Sequence, residues 1–195
     1  MKLNRILLLP LLLILATNLF GQNVGGGLSI AGVASQIDGD AWGGYKKLGY
    51  CLGGFAWYDF NDRWSLSPEI TLGNRGSREL EKGYGQINLN FIDVPVLVRF
   101  RAIGDVDGQS LLLEAGPSAN ILYSAKSGFS DLKQNITPSL KKFGASVNLG
   151  LIWFVNPKIG ITGRWTSSFT NLNGLGVRPW LTTYFFSFGA KIAFK

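Results

Sequence analysis

Six charged side chains carry most of the chemistry open to this 195-residue chain: the acids Glu69, Asp93 and Glu114, and the bases Arg99, Arg164 and Lys191. Each falls on the polar side of a stretch in which apolar and polar residues alternate. Paired carboxylates can work as general acid and base, so hydrolysis through Glu69, Asp93 or Glu114 is the first chemistry to weigh. Against it, bases sit on neighbouring stretches, and carboxylates so placed are more often ion partners than catalysts. The chain contains no His, which removes Ser–His–Asp and Cys–His catalysis and His metal sites together. Cys51 is the single cysteine, so no internal disulfide forms. The chain therefore reads as a non-enzyme with no cofactor and no metal, in which these six charges form a structural network.

The elements that must position them are strands. From residue 25 onward, alternation divides the chain into eight segments: 25–34, 49–60, 63–73, 87–102, 111–123, 143–154, 158–169 and 180–194. The last is the clearest. Thr182, Tyr184, Phe186, Phe188, Ala190, Ile192 and Phe194 share one face; Thr183, Phe185, Ser187, Gly189, Lys191 and Ala193 share the other. A final strand of that length leaves unpaired backbone on one edge unless it closes onto the first strand. Elsewhere, Trp64, Leu66, Ile70 and Leu72 oppose Ser65, Ser67, Glu69 and Thr71, and Val147, Leu149, Leu151 and Trp153 oppose Ser146, Asn148 and Gly150. The first two segments are glycine-rich and their faces are ambiguous. Pro68, Pro95 and Pro117 fall inside strands and predict local bulges.

The connections alternate in length. Residues 35–48, 74–86, 124–142 and 170–179 are long; 61–62, 103–110 and 155–157 are shorter. No apolar run after residue 21 is long enough for a spanning helix, so a chain that crosses a membrane here must do so as a closed barrel. Ten residues at about 3.3 Å rise, tilted by about 45°, cover about 23 Å, which matches the apolar band of an outer-membrane barrel. Short turns then face the periplasm and long loops the exterior. Aromatics crowd both strand ends, as two girdles: Trp57, Tyr58, Phe60, Trp64, Phe100, Trp153, Phe154 and Phe194 at the short turns, and Trp42, Tyr45, Tyr50, Tyr84, Tyr123, Trp165, Phe169, Trp180 and Tyr184 at the long loops. The fold predicted is all-β, an eight-stranded antiparallel up-and-down transmembrane β-barrel. Its bore is narrow enough for inward acids and bases to meet across it and block ion flow. Removing one member, as in Arg164→Ala, is expected to loosen that plug.

Residues 1–21 have a basic start, an apolar core from Ile6 to Ala16 and a small residue, Gly21, at the end. That pattern predicts a cleaved signal peptide, leaving 22–195 as the barrel domain. Loss of Lys2 and Arg5 takes the formal charge from +7 to +5. The basic residues are spread along the chain rather than clustered, so no nucleic-acid partner is expected. Loop cations suit outer-membrane lipid headgroups and lipopolysaccharide phosphates. Loops 35–48 and 124–142, the latter with Lys126, Phe129, Asp131 and Lys133, are the candidate surfaces for a protein partner, and the barrel is expected to be a monomer.

Several phrases resemble the PorT-like outer-membrane β-barrel family of Bacteroidetes. Asn90-Phe91-Ile92-Asp93-Val94-Pro95-Val96-Leu97-Val98 resembles its Y-L-E-I-P-L-L strand, with Phe91 for Tyr and Asp93 for Glu. Ser67-Pro68-Glu69-Ile70 resembles its P-E-L strand, Glu114-Ala115-Gly116-Pro117 its A-G-P strand, and Gly163-Arg164-Trp165 its A-R-Y strand. The resemblance implies an exported outer-membrane barrel of the porin family in the broad sense. It also implies a link to secretion, which belongs to one branch of the family. The function expected is a structural or interaction role through the long loops. The alternatives are a narrow porin-like diffusion channel, or a secreted soluble lipocalin-like barrel with apolar residues inside and charges outside.

Overall fold

A computed structural model describes residues 23–40, 42–79, 85–105, 108–129, 132–173 and 180–194. The signal-peptide reading of residues 1–21 lies outside the described residues. Nine strands form one antiparallel sheet: β1 (Val24–Asp38), β2 (Lys47–Asp59), β3 (Trp64–Arg78), β4 (Gln86–Gly104), β5 (Ser110–Phe129), β6 (Leu132–Asn135), β7 (Phe143–Asn156), β8 (Ile159–Ser168) and β9 (Thr182–Phe194). Eight of them close into a barrel, because β4 pairs with β5 and β9 pairs with both β8 and β1. The β1–β9 seam runs from Gly26 opposite Phe194 to Asp38 opposite Thr182. Closure removes both sheet edges from the eight-stranded wall. Strand β6 stands apart, paired only with the outer end of β5.

Alternation sorts the side chains as a membrane barrel requires. On β7, Val147, Leu149, Leu151 and Trp153 are exposed on the outside, while Ser146, Asn148 and Ile152 are buried inside. On β9, Phe186, Phe188, Ile192 and Phe194 point out, and Thr183, Phe185, Lys191 and Ala193 point in. A soluble lipocalin-like barrel needs the reverse arrangement, so the charges inside and the aromatics outside remove that alternative. Exposed Tyr58, Phe60, Trp64, Trp153 and Phe194 mark the short-turn end, and exposed Tyr45, Tyr50, Tyr123, Phe169 and Trp180 mark the other. Trp57 and Phe154 depart from the predicted girdle, since both line a recess inside the lower lumen. Tyr84 lies outside the described residues.

Three sequence expectations change. The wall is taller than predicted at the long-loop end: β1 reaches Asp38, β3 reaches Arg78 and β5 reaches Phe129. Part of what reads as loop is therefore strand, and residues 124–142 contain the β5–β6 hairpin and a short 3-10 turn at Thr137–Ser139. Bulges do not fall at the prolines. Pro68↔Val96 and Thr71↔Asp93 share one offset, as do Pro95↔Ser118 and Val98↔Ala115, and Pro117 pairs with Val147 in an unbroken ladder. Register shifts lie instead between Asn90 and Phe91, between Arg101 and Ile103, and between Phe154 and Asn156. A proline removes one donor from a ladder, whereas a register shift requires an inserted residue.

The glycine-rich β1 acquires a reason from its register. Gly25 faces Trp57 and Gly27 faces Phe55 across the β1–β2 ladder. A methyl group at either glycine would run into the facing ring. Missing side chains on β1 thus leave room for two aromatic ones from β2 inside the bore.

Candidate functional site in the barrel lumen

The lumen is layered. Its middle holds Glu69 from β3, Arg99 from β4, Glu114 from β5, Arg164 from β8 and Lys191 from β9. Strand alternation turns each inward, and β4–β5 pairing puts Arg99 directly opposite Glu114. All three bases contact both acids. Arg164 Nη2 lies 2.6 Å from Glu114 Oε1 and its Nη1 3.0 Å from Glu69 Oε2. Arg99 Nη2 donates to Glu69 Oε1 at 3.0 Å and Nε to Glu114 Oε2 at 3.4 Å. Lys191 Nζ sits 2.5 Å from Glu69 Oε1 and 3.5 Å from Glu114 Oε2. The Phe55 ring packs against two of the cations, with its centroid 4.9 Å from Lys191 Nζ and 5.2 Å from the Arg99 guanidinium carbon.

Gly150 makes the longest of these reaches possible. In the ladders it stands opposite Glu114 on one side and Arg164 on the other. A Cβ there would come within 3.1 Å of Glu114 Oε1 and 3.2 Å of Arg164 Cβ. With only hydrogen at that point, β5 and β8 join through their side chains over the face of β7.

Asp93 does not join this cluster. It sits toward the long-loop end, where Arg75 Nη1 donates to Oδ2 at 2.7 Å and Asn120 Nδ2 donates to Oδ1 at 2.6 Å. The Arg75 guanidinium is held between two rings, 3.7 Å from the Phe91 centroid and 4.8 Å from that of Phe185. Above this level the lining turns apolar. Ile37, Leu89, Phe91, Leu122, Ala125 and Leu172 form one buried cluster, with Ile136, Leu140 and Leu181 packed on it. Residues 136, 140, 172 and 181 lie between strands, so the outer connections fold inward over the bore.

Arg75 and the apolar cap were not visible in the sequence, because residues 74–86 read as loop. Lys47 also differs from its expected place in a loop, since its Nζ donates to Leu48 O at 2.6 Å and Asn74 Oδ1 at 2.8 Å. Lys126 is exposed on β5. Asp131 and the side chains of Phe129 and Lys133 lie outside the described residues. Among the described residues no group of three or more His, Cys, Asp and Glu is placed to hold a metal ion. The arrangement binds charge to charge, with both glutamates held by all three bases.

Comparison with known proteins agrees with this geometry. Residues 17–174 match the family model of the outer membrane protein beta-barrel domain. A search of curated proteins gives no match. Among solved structures, Ail, the attachment invasion locus protein of Yersinia pestis, is similar at 17% identity with a TM-score of 0.55, covering 89% of this chain and 100% of Ail. Neisserial surface protein A is similar at 14% identity and a TM-score of 0.55, covering 87% of this chain and 97% of that one.

Proposed function

The chain belongs to the outer membrane protein beta-barrel domain family and is an outer-membrane protein; from that premise we propose that it is a non-conducting barrel that works through its outer rim. The observation that carries this reading is the double closure of the bore. Three bases each bridge the same two carboxylates across the middle, and an apolar cluster lies above them. An ion crossing the bore would have to break paired buried charges and then enter an apolar layer, and each step costs several kcal/mol. Planar-bilayer recording tests it. The wild-type barrel is expected to be silent, and a steady large conductance would make it a diffusion channel instead.

The rim is the working surface in this reading. Lys46, Arg78, Lys126, Lys141 and Lys142 are exposed at the long-loop end, near Tyr45, Phe143 and Trp180. Cations beside interfacial aromatics suit the phosphates of lipopolysaccharide in the outer leaflet. The family branch we infer is the PorT-like one of Bacteroidetes. The phrases that carry the resemblance supply Glu69, Glu114 and Arg164 to the network and Asp93 to the level above it. From that branch we infer a role in secretion through the rim, and separately we propose that the barrel is a monomer. Comparison of the proteins released by a deletion strain and its parent tests the role; unchanged release would leave the barrel with a rim function unrelated to secretion.

A further inference from the structure

The lower lumen contains more positive than negative charge. Among the described residues, Arg99, Arg101, Arg164 and Lys191 face Glu69, Glu114 and Asp59, so four bases meet three carboxylates. Adding the Arg75–Asp93 pair above leaves the excess unchanged. Three of the four bases already share the two glutamates, and an uncompensated charge in so enclosed a place is costly.

Beneath the network lies a recess that opens at the short-turn end. Its walls include Trp57 and Phe154, the hydroxyl residues Ser65 and Ser110, the guanidinium-bearing Arg99 and Arg101, and one carboxylate, Asp59. Its volume is about 60 Å³, several times what one water needs. Arg101 donates from Nη1 to the backbone oxygen of Asp62, while its Nε is buried without a hydrogen-bond partner among the described residues. A buried donor in that state is normally matched by a ligand or a water. Arg99 belongs to both the network and the recess, so the excess charge above is felt directly within it.

We propose that this periplasmic vestibule binds a monovalent anion of halide or carboxylate type, with Arg101 and Arg99 as donors and the excess cluster charge as the attraction. A carboxylate could come from a free small acid or from the C-terminus of a periplasmic chain. The size of the recess admits the anionic group itself, and its mouth leaves the remainder of a chain outside.

Chloride-NMR line width on the full barrel refolded in detergent micelles tests the proposal. Wild type is expected to broaden the chloride line well beyond protein-free micelles. Arg101→Gln, at the mouth and outside the glutamate network, should weaken the effect roughly tenfold or more, as loss of a charge-assisted bond does. Lys191→Met leaves the lower lumen balanced and should lose the broadening while still refolding. Lys46→Gln at the opposite rim should leave it intact. Competition by acetate assigns a small ion; competition by a short peptide with a free C-terminus, but not by its amidated form, assigns a chain end. No excess broadening by wild type, or broadening retained in both Arg101→Gln and Lys191→Met, would overturn the proposal.

Discussion

Arg164 on β8 binds Glu114 on β5 at 2.6 Å although β7 runs between them. The contact passes over Gly150, where a Cβ would stand 3.1 Å from Glu114 Oε1 and 3.2 Å from Arg164 Cβ, so a side chain there should push the two partners apart. Gly150→Val is expected to destabilise the barrel by about 1–3 kcal/mol through overpacking. Gly163, with nothing within 4 Å of its Cβ position, should accept Ala with little change. Urea unfolding in lipid vesicles, followed by tryptophan fluorescence, compares the two.

Arg164→Ala removes one of three donors shared by two buried glutamates. Breaking a buried ion network by deleting one partner costs about 3–5 kcal/mol. Arg164→Lys should recover only part of that loss, because a point charge cannot reproduce the planar fork that serves both carboxylates. Equal stability of the Lys variant and wild type would show that charge alone, and not geometry, matters at this position.

Conductance should respond to two changes together and weakly to either alone. Arg164→Ala opens the charged middle, but Phe91, Leu122 and Leu172 remain above it. Leu122→Ala thins that apolar layer and leaves the charges in place. The double variant is therefore expected to leak in planar bilayers, and each single variant to stay nearly silent. A large current from Arg164→Ala by itself would place the whole barrier at the charge cluster.

The outer face can be tested by depth. Leu149 is 51% exposed in mid-strand, on the side that meets lipid. Leu149→Arg should cost about 2–4 kcal/mol near the bilayer midplane. Ser146→Ala, on the inner face, removes a buried hydroxyl that has no hydrogen-bond partner among the described residues and should be close to neutral. Refolding yields and urea midpoints in vesicles should separate the two variants clearly.

How much of this was legible beforehand follows from what period two can and cannot encode. Alternation reports which face a residue takes, and that is enough to turn Glu69, Arg99, Glu114, Arg164 and Lys191 to one side. It does not report depth along the barrel, so Asp93 looked equivalent to the others while lying a level away with Arg75 and Asn120. Arg75 itself sits in Gly73-Asn74-Arg75-Gly76-Ser77, a composition typical of turns. Tertiary pairing with β4 holds that stretch in the wall, opposite residues 87–91. Phe55 and Trp57 were hard to orient because aromatics suit either a girdle or a filled bore. The usable signal was the glycine run 25–27, which in register faces both rings. The apolar cap had no such signal, since Leu89 and Leu122 continue inward faces that are polar lower down.

The strand that closes the seam also carries Lys191. During biogenesis the zipping of β9 onto β1 and the arrival of the third cation at Glu69 and Glu114 are consequently a single event. A chain stopped before β9 would keep raw edges on β1 and β8 and lack the ammonium that adds a third contact to each glutamate, so an unfinished barrel is marked as incomplete in its backbone and in its network.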